Sequence, residues 1–191
     1  GIMLLVVAVL PMLGLGGYQL YKAETPGPMK DAKFTPRISE TARGLWGVYF
    51  AFSVACLLCY RWAGMGWADA FMHMCTTMGL GGFSSHDASI GYFDSHRVEA
   101  VATVFMALAG ISFLRYFIML RSRSIMPIVR DREIQTYVGV LLAAIFLIAS
   151  LLAVNNVVDN FPEALRTSAF HVLSLATTTG YASTDYTLWP V

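Results

Sequence analysis

Charged residues are scarce in this sequence: Asp, Glu, Lys and Arg make up 13% of its 191 residues, whereas 57% are hydrophobic. The mean hydropathy of +0.60 is too high for a typical soluble domain, and the long apolar runs indicate transmembrane helices in contact with lipid. The net charge is only +1 and the sequence has no tract of Lys and Arg, so nothing indicates binding to nucleic acid.

Cysteine is also rare, and Cys56, Cys59 and Cys75 all lie in apolar segments. No second pair of ligands accompanies them for zinc, so they are expected to be small buried hydrophobic residues. No Ser/His/Asp or Cys/His arrangement indicates nucleophilic catalysis, so the chain is not expected to be an enzyme. The chain lacks an initial methionine and ends just beyond a motif, from which we expect a fragment. Residues 1–10 do not resemble a signal peptide.

The sequence does contain an internal repeat with an offset of 98 residues. Residues 177–183 (TTTGYAS) correspond to residues 79–85 (GLGGFSS), and a hydrophobic segment precedes each stretch at the same distance. The pairs related by this offset include His73 with His171, Gly82 with Gly180, Ser85 with Ser183 and Asp87 with Asp185.

Glycine and threonine in these stretches suit a row of backbone carbonyls. A Thr-rich run that ends in Gly lets successive carbonyls point the same way, because Gly adopts backbone angles that other residues resist. Rings of such carbonyls replace the water shell of K⁺ in channel filters. The predicted K⁺-binding residues are Gly79, Leu80, Gly81, Gly82, Thr177, Thr178, Thr179 and Gly180. The alternatives are an ordinary surface loop and, for the first stretch, a nucleotide phosphate loop, which the lack of a preceding strand disfavours.

The apolar segments divide the chain into spans, short helices and connectors. We predict the end of a membrane helix at 1–22, spans at 45–61, 98–120 and 137–156, and polar connectors at 23–43 and 122–136. Two segments at 67–77 and 163–176 are too short or too polar to cross, and each leads into a glycine-rich stretch. They are predicted to be re-entrant pore helices whose carbonyl ends favour a cation. Amphipathic helices at the membrane interface are the alternative.

The basic residues predict the orientation of the chain in the membrane. Ten of the thirteen Lys and Arg residues lie in or beside the two connectors, which the positive-inside rule places in the cytoplasm. Both glycine-rich stretches then enter from outside. Asp87 and Asp185 would lie at the outer mouth and concentrate cations there, although ordinary solvated loop charges are the alternative.

Four residues outside the glycine-rich stretches carry expectations of their own. His73 and His171 occupy equivalent positions on the two pore helices, where packing or hydrogen bonding is expected rather than metal ligation. Arg115 is expected to extend to the cytoplasmic end of the third span. Gly110 in the same span would allow a bend or close packing, of which close packing is the more common in membranes.

Three stretches resemble the Trk/Ktr/HKT potassium transporter superfamily, specifically its bacterial TrkH-like branch. GGFSSHDASIGYFD at 81–94 is similar to the second pore loop of that branch, and ATTTGY at 176–181 is similar to the third. AETPGP at 23–28, with PRI at 36–38 and ETA at 40–42, resembles the connector before the second repeat. Gly79-Leu80-Gly81 departs from the threonine run of the other copy, which leaves open which carbonyls of the first stretch face an ion.

The resemblance implies an all-α multi-pass membrane protein, with helix–pore loop–helix repeats around a pseudo-fourfold ion pore. This chain would hold the end of repeat 1, repeat 2 at 44–121 with a filter at 79–85, and the first part of repeat 3 at 137–191 with a filter at 177–183. The implied function is K⁺ uptake or symport by the ion-translocating subunit, in the bacterial inner membrane with the pore loops facing the periplasm.

The resemblance also implies partners: a homodimer and a cytoplasmic NAD/ATP-binding regulatory subunit, with no organic cofactor in this chain. Gly rather than Ser at 82 and 180 favours K⁺ over Na⁺. A sodium-permeable transporter of the same superfamily is the main alternative. A membrane-embedded enzyme or an assembly scaffold is the alternative from another functional class.

Overall fold

The structure, a computed structural model, describes residues 38–155 and 160–184, with side chains from Gly44 onward. The predicted membrane helix at 1–22, the predicted connector as far as residue 37, and Asp185 lie outside these ranges. Within the described ranges the chain forms helices and no strand, which confirms the all-α prediction.

Seven α-helices and one 3-10 helix follow one another in the described residues. They are α1 (Ile38–Ala63), α2 (Trp67–Met78), the 3-10 helix (Ser89–Phe93), α3 (His96–Ala109), α4 (Phe113–Ser122), α5 (Met126–Val129), α6 (Arg132–Val154) and α7 (Phe161–Ala176).

Within residues 38–155 and 160–184, helices α1 and α6 contain the two unbroken segments that are long and apolar enough to cross a membrane. These segments are Gly44–Ala63 and Arg132–Val154, and the mean hydropathy over 18 residues reaches 1.4 in the first and 2.7 in the second. At about 1.5 Å per residue each reaches roughly the 30 Å of a hydrocarbon core. Helix α6 begins five residues before the predicted 137, because the Asp131 side chain caps it by accepting hydrogen bonds from the Glu133 and Ile134 amides.

The third span is broken, whereas the sequence predicted one helix over 98–120. Helices α3 and α4 meet at an angle of 80°, with residues 110–112 at the corner. Tyrosine hydroxyls contact carbonyls at the end of α3: Tyr116 donates to the Leu108 oxygen at 2.9 Å, and the Tyr137 hydroxyl lies 3.5 Å from the Ala107 oxygen. Tertiary contacts therefore compensate the break, which apolar periodicity alone could not reveal.

Gly110 at this corner combines the bend with close packing, which the sequence had treated as alternatives. A Cβ atom at this position would overlap the Tyr137 hydroxyl and lie 3.1 Å from Thr177 Cγ2. Arg115 lies in the first turn of α4 and binds carboxylates at the start of α6, with Asp131 in contact and Glu133 Oε2 at 3.2 Å. Arg115 therefore forms ion pairs that join α4 to the start of α6, within the predicted connector 122–136.

Helices α2 and α7 are too short to cross, at about 18 Å and 24 Å. Their bounds differ from the predicted 67–77 and 163–176 by one or two residues. Pro162 occupies the first turn of α7, although the Asn160 side chain that precedes it makes no capping hydrogen bond. Each helix leads directly into one copy of the repeat, named here the first loop (residues 79–85) and the second loop (residues 177–183).

Both short helices, α2 and α7, pack against α3. Helix α2 packs between α1 and α3, and α7 packs between α6 and α3. The common core includes Tyr60, Met65, Met106, Phe170 and Tyr181, each at most 2% exposed. This packing brings the two loops side by side, although 98 residues separate them in the sequence.

Candidate functional site: the paired loops

The two loops leave their helices through the same set of backbone hydrogen bonds. Three amides of each loop fold back onto the last turn of the preceding helix. In the first loop these bonds are Gly79 N to Cys75 O, Leu80 N to Thr77 O and Gly81 N to Thr76 O; in the second they are Thr177 N to Leu173 O, Thr178 N to Leu175 O and Thr179 N to Ser174 O. Every donor and every acceptor of one set is related to the other set by 98 residues.

The backbone angles of the loops correspond as well. Leu80 and Thr178 have φ values of 52° and 59°, and Gly82 and Gly180 have 64° and 84°. A left-handed conformation costs a residue with a side chain about 1–2 kcal/mol, so Leu80 and Thr178 are held in it by their surroundings. The first loop therefore adopts the backbone of the second, although Gly79-Leu80-Gly81 replaces the threonine run.

The first four carbonyl oxygens of each loop are unpaired within the part of the chain that the structure describes. Among the described residues, no hydrogen-bond donor reaches any of the eight carbonyls of residues 79–82 and 177–180. The threonine hydroxyls are used differently: Thr177 Oγ1 donates to the Leu173 oxygen at 2.7 Å and lies 2.8 Å from Thr179 Oγ1. Because these buried hydroxyls hold the loop onto α7, the groups left for a ligand are backbone oxygens.

The loops contact each other at Gly82. A Cβ atom at this position would overlap the carbonyl oxygen of Thr179 and lie 2.8 Å from its carbonyl carbon. At Gly180 a Cβ atom would meet nothing within 4 Å. The two equivalent glycines therefore share a left-handed backbone, but a side chain is also excluded by the Thr179 carbonyl at Gly82 and not at Gly180.

Tyr181 anchors the second loop to the helix of the first. It is 2% exposed, and its hydroxyl contacts Thr76 Oγ1, lies 3.2 Å from Thr77 Oγ1 and reaches the His73 carbonyl oxygen at 3.3 Å. The residue equivalent to Tyr181 is Phe83, which is 77% exposed. Sequence reasoning missed this anchor, because the threonines on α2 precede Tyr181 by more than 100 residues.

The two equivalent histidines bind their own helices. The Nδ1 atoms of His73 and His171 lie 2.8 and 2.9 Å from the carbonyl oxygens of Asp69 and Thr167, one turn earlier. His73 Nε2 also lies 3.0 Å from Ser84 Oγ, just beyond the first carbonyl row. Burial lowers the pKa of His73 below its ordinary value. His73 therefore links α2 to the outer part of the first loop as a neutral ring.

The acids near the loops differ from the predicted pair. Asp87 is exposed and forms no ion pair with any residue that the structure describes, whereas Asp185 lies beyond the described range. Asp69 accepts a hydrogen bond from Ser85 Oγ at 2.8 Å. Glu99 is 7% exposed, 3.2 Å from Arg166 Nε and 3.3 Å from Ser183 Oγ. Among the described residues, the acids that bind serines of the loops are thus Asp69 and Glu99.

Comparisons with known proteins agree over the whole sequence. The family described as "TrkH: Cation transport protein" matches residues 1–191. The Trk system potassium uptake protein TrkH of Salmonella typhimurium (strain LT2) is 42% identical over 191 residues, which cover all of this chain and 40% of that protein. The Halomonas elongata protein of the same name is 43% identical over 190 residues, with 39% of it covered.

The solved structure of the potassium transporter TrkH from Vibrio parahaemolyticus superposes with a TM-score of 0.80 at 32% identity. The match covers all of this chain and 38% of that one. The chain thus spans about two fifths of the length of the curated relatives that it matches. Since both the sequence match and the fold extend over its full length, the chain belongs to the TrkH family of cation transport proteins.

Proposed function

We propose that this chain forms part of a pathway for K⁺ uptake across the cell membrane, in which its two loops contribute backbone oxygens to the ion filter. The observation that carries the proposal is the pair of carbonyl rows: two loops with equivalent strained backbones, and eight carbonyls that no described donor reaches. Relatives named as potassium uptake proteins match the entire chain, which supports K⁺ as the transported ion.

The proposed mechanism follows from what the loops offer to a dehydrated cation. Carbonyl oxygens replace water ligands, and the hydrogen bonds of each loop to its own helix hold those oxygens in place before the ion arrives. Helices α2 and α7 also end at the loops, so the partial negative charge of each carbonyl end favours a cation there. Two loops surround only part of an ion, so further oxygens would come from other segments of the transporter.

The proposed preference for K⁺ over Na⁺ rests on the two equivalent glycines. Gly82 and Gly180 have positive φ values, at which a side chain is strained. At position 82 a side chain would also displace the Thr179 carbonyl, one of the proposed filter oxygens. Glycine at both positions therefore permits the oxygen arrangement that the proposed selectivity requires.

The assembly and location of the transporter are also proposals. The relatives are named as parts of a Trk system, which supports a multi-component assembly. From family membership we propose a homodimer with a cytoplasmic NAD/ATP-binding regulatory subunit. The distribution of basic residues supports a bacterial inner membrane topology in which both loops enter from the periplasm. Membership of a transporter family argues against the enzyme and scaffold alternatives.

Ion competition tests the proposed function. The protein is expressed from its native gene in bacteria that lack their own K⁺ uptake systems, and uptake of a rubidium tracer is measured. Excess K⁺ should abolish tracer uptake, and equal Na⁺ should not. Equal competition by both ions would instead support the sodium-permeable alternative, and uptake no greater than in empty cells would contradict ion transport.

Thermal unfolding of the purified protein gives a second test. A ligand that binds only the folded state stabilises it, by about 2.7 kcal/mol at one hundred times its dissociation constant. K⁺ should therefore raise the unfolding temperature more than Na⁺ at the same ionic strength. Equal shifts with the two ions would argue against a K⁺-selective filter.

A further inference from the structure

The Glu99 carboxylate is buried behind the second loop and connects three elements. It belongs to the first turn of α3, its Oε2 lies 3.2 Å from Arg166 Nε on α7, and its Oε1 lies 3.3 Å from Ser183 Oγ in the second loop. Burial of a carboxylate is costly unless the charge is paired and hydrogen-bonded. Arg166 and Ser183 supply these two partners, so the position of the carboxylate is coupled to the outer end of the loop.

The first loop has a comparable contact that is built from a different part of the chain. Ser85, the equivalent of Ser183, donates a hydrogen bond to Asp69 Oδ1 at 2.8 Å. Asp69 lies on α2, and its counterpart on α7 is Thr167, which carries no charge. The second loop therefore takes its carboxylate from α3 rather than from its own helix. Both loops thus end on a serine held by an acid.

We propose that Glu99 is a positioning residue that fixes the carbonyl row of the second loop through Ser183. This inference rests on the proposed filter function. The row begins on α7, where the Thr177 amide donates to the Leu173 oxygen at 2.9 Å. Beyond the row, Tyr181 O accepts from Ser174 Oγ, and Ser183 donates to a charged acceptor, a bond that is stronger than one between neutral groups. Ser183 therefore adds a charged contact to those that hold the loop after Gly180, the second residue of the row with a left-handed backbone.

Ion selectivity is the property that the bond between Glu99 and Ser183 should affect. A carbonyl row that is free to contract would follow a smaller ion, and the difference in coordination between K⁺ and Na⁺ would shrink. Arg166 contributes by orienting the carboxylate and compensating its charge, and among the described residues its link to the loop runs through Glu99. Loss of the Glu99 charge should therefore reduce ion discrimination more than it reduces the amount of folded protein.

The test compares Glu99→Gln with Glu163→Gln in the protein expressed from its native gene. Glutamine keeps the size and an acceptor oxygen but removes the charge. Glu163 is a matched control because its Oε1 lies 3.5 Å from Nη2 of the same Arg166, whereas no contact joins it to Ser183. In the tracer competition assay, Glu99→Gln should lower the K⁺/Na⁺ discrimination about tenfold, equivalent to about 1.4 kcal/mol. Glu163→Gln should change it by less than about twofold.

Ser183 variants separate positioning from general stability. Ser183→Ala should reproduce the effect of Glu99→Gln, and the double variant should be no worse than Ser183→Ala alone, because one substitution removes the bond and the other removes the charge of its acceptor. Ser183→Thr retains the hydroxyl and should retain discrimination. Additive losses, or a Thr variant as impaired as the Ala variant, would overturn the proposal. If Glu99→Gln does not fold, Ser183→Ala gives the same readouts.

Hydrogen exchange distinguishes failure of this inference from failure of the proposed function. In purified protein, the amides of residues 180–184 should exchange faster in Glu99→Gln and Ser183→Ala than in Glu163→Gln or the unmodified protein. Equal exchange rates in all four proteins would overturn the proposed positioning role of Glu99, whatever the transport result. If the unmodified protein shows no K⁺-selective uptake, the proposed function is wrong, and faster exchange would then support Glu99 only as a residue that holds the loop.

Discussion

The contact between the loops at Gly82 leads to a quantitative prediction about two alanine substitutions. Gly82 and Gly180 are related by the 98-residue repeat and both have a left-handed backbone, with φ values of 64° and 84°. They differ in their surroundings. An added Cβ at 180 has nothing within 4 Å, whereas at 82 it overlaps the carbonyl oxygen of Thr179. Alanine is therefore disfavoured at Gly180 by its backbone conformation alone, and at Gly82 by its backbone conformation and by the overlap.

The shared cost is the left-handed conformation of alanine, about 1–2 kcal/mol. The additional cost at Gly82 comes from the Thr179 carbonyl, because its carbon would lie 2.8 Å from the new Cβ. Relief to an ordinary carbon–carbon contact requires the loops to separate by roughly 1 Å. Since the overlapping atoms belong to the backbone of Thr179, no side-chain rotation can relieve the overlap. Gly82→Ala should therefore displace a proposed filter oxygen, and Gly180→Ala should mainly strain its own loop.

We expect Gly82→Ala to reduce K⁺/Na⁺ discrimination at least about tenfold more than Gly180→Ala, since a further 1.4 kcal/mol corresponds to a factor of ten. Competitive uptake measures discrimination, and immunoblotting of membranes measures abundance. Gly139→Ala in α6 is the control, because an added Cβ there meets nothing within 4 Å and should have no effect on discrimination. Equal effects of the two loop substitutions would refute the contact between the loops as a determinant of selectivity.

Three further predictions concern the supports of the loops. Tyr181→Phe leaves the buried Thr77 hydroxyl with one partner fewer and should cost about 0.5–1.5 kcal/mol, measured by thermal unfolding, while Tyr92→Phe, at an exposed side chain of the 3-10 helix, should be neutral. Gly110→Ala should impair uptake by pushing against the Tyr137 hydroxyl, and addition of Tyr137→Phe should restore part of it; no restoration would contradict this contact. Because burial lowers the pKa of His73, the unfolded chain binds the proton first as the pH falls below about 6.5. The contribution of His73 to stability is therefore present above that pH and is lost as the pH falls through the folded pKa, so the unfolding temperature should drop less between pH 7.5 and 5.5 in His73→Gln than in the unmodified protein.

The sequence predicted the helical class and the location of the two loops because these depend on local patterns. Long apolar runs identified α1 and α6 as spans, and helices α2 and α7 start and end within two residues of the predicted bounds. Glycine at 82 and 180 coincides with two positive φ values. The first loop could not be assigned in detail, because Leu80 adopts a left-handed backbone that its residue type disfavours.

The features that the sequence did not predict depend on contacts between distant residues. The bend of the third span is stabilised by hydroxyls of Tyr116 and Tyr137, and Tyr137 belongs to another helix. The bond between Ser183 and Glu99 joins residues that are 84 positions apart. Neither hydrophobic periodicity nor a sequence motif predicts such contacts. Apolar patterns therefore predict that a segment forms a helix in the membrane, but not where neighbouring side chains allow it to break.

Helix α3 explains how the two units of the repeat depend on each other. It follows the first loop in the chain, yet it contacts both ends of the second. Glu99 near its start binds Ser183 at the end of the second loop, and Gly110 directly after it faces Thr177, where that loop begins. These contacts are separated by about 16 Å along the helix. The break after α3 therefore lies where contact with the second loop ends, and beyond it α4 turns away by 80° to pair Arg115 with the start of α6. Helix α3 of the first unit thus contacts the second loop at both ends of that loop. A change in the bend after α3 would therefore alter the geometry of the proposed filter even if no filter residue were substituted.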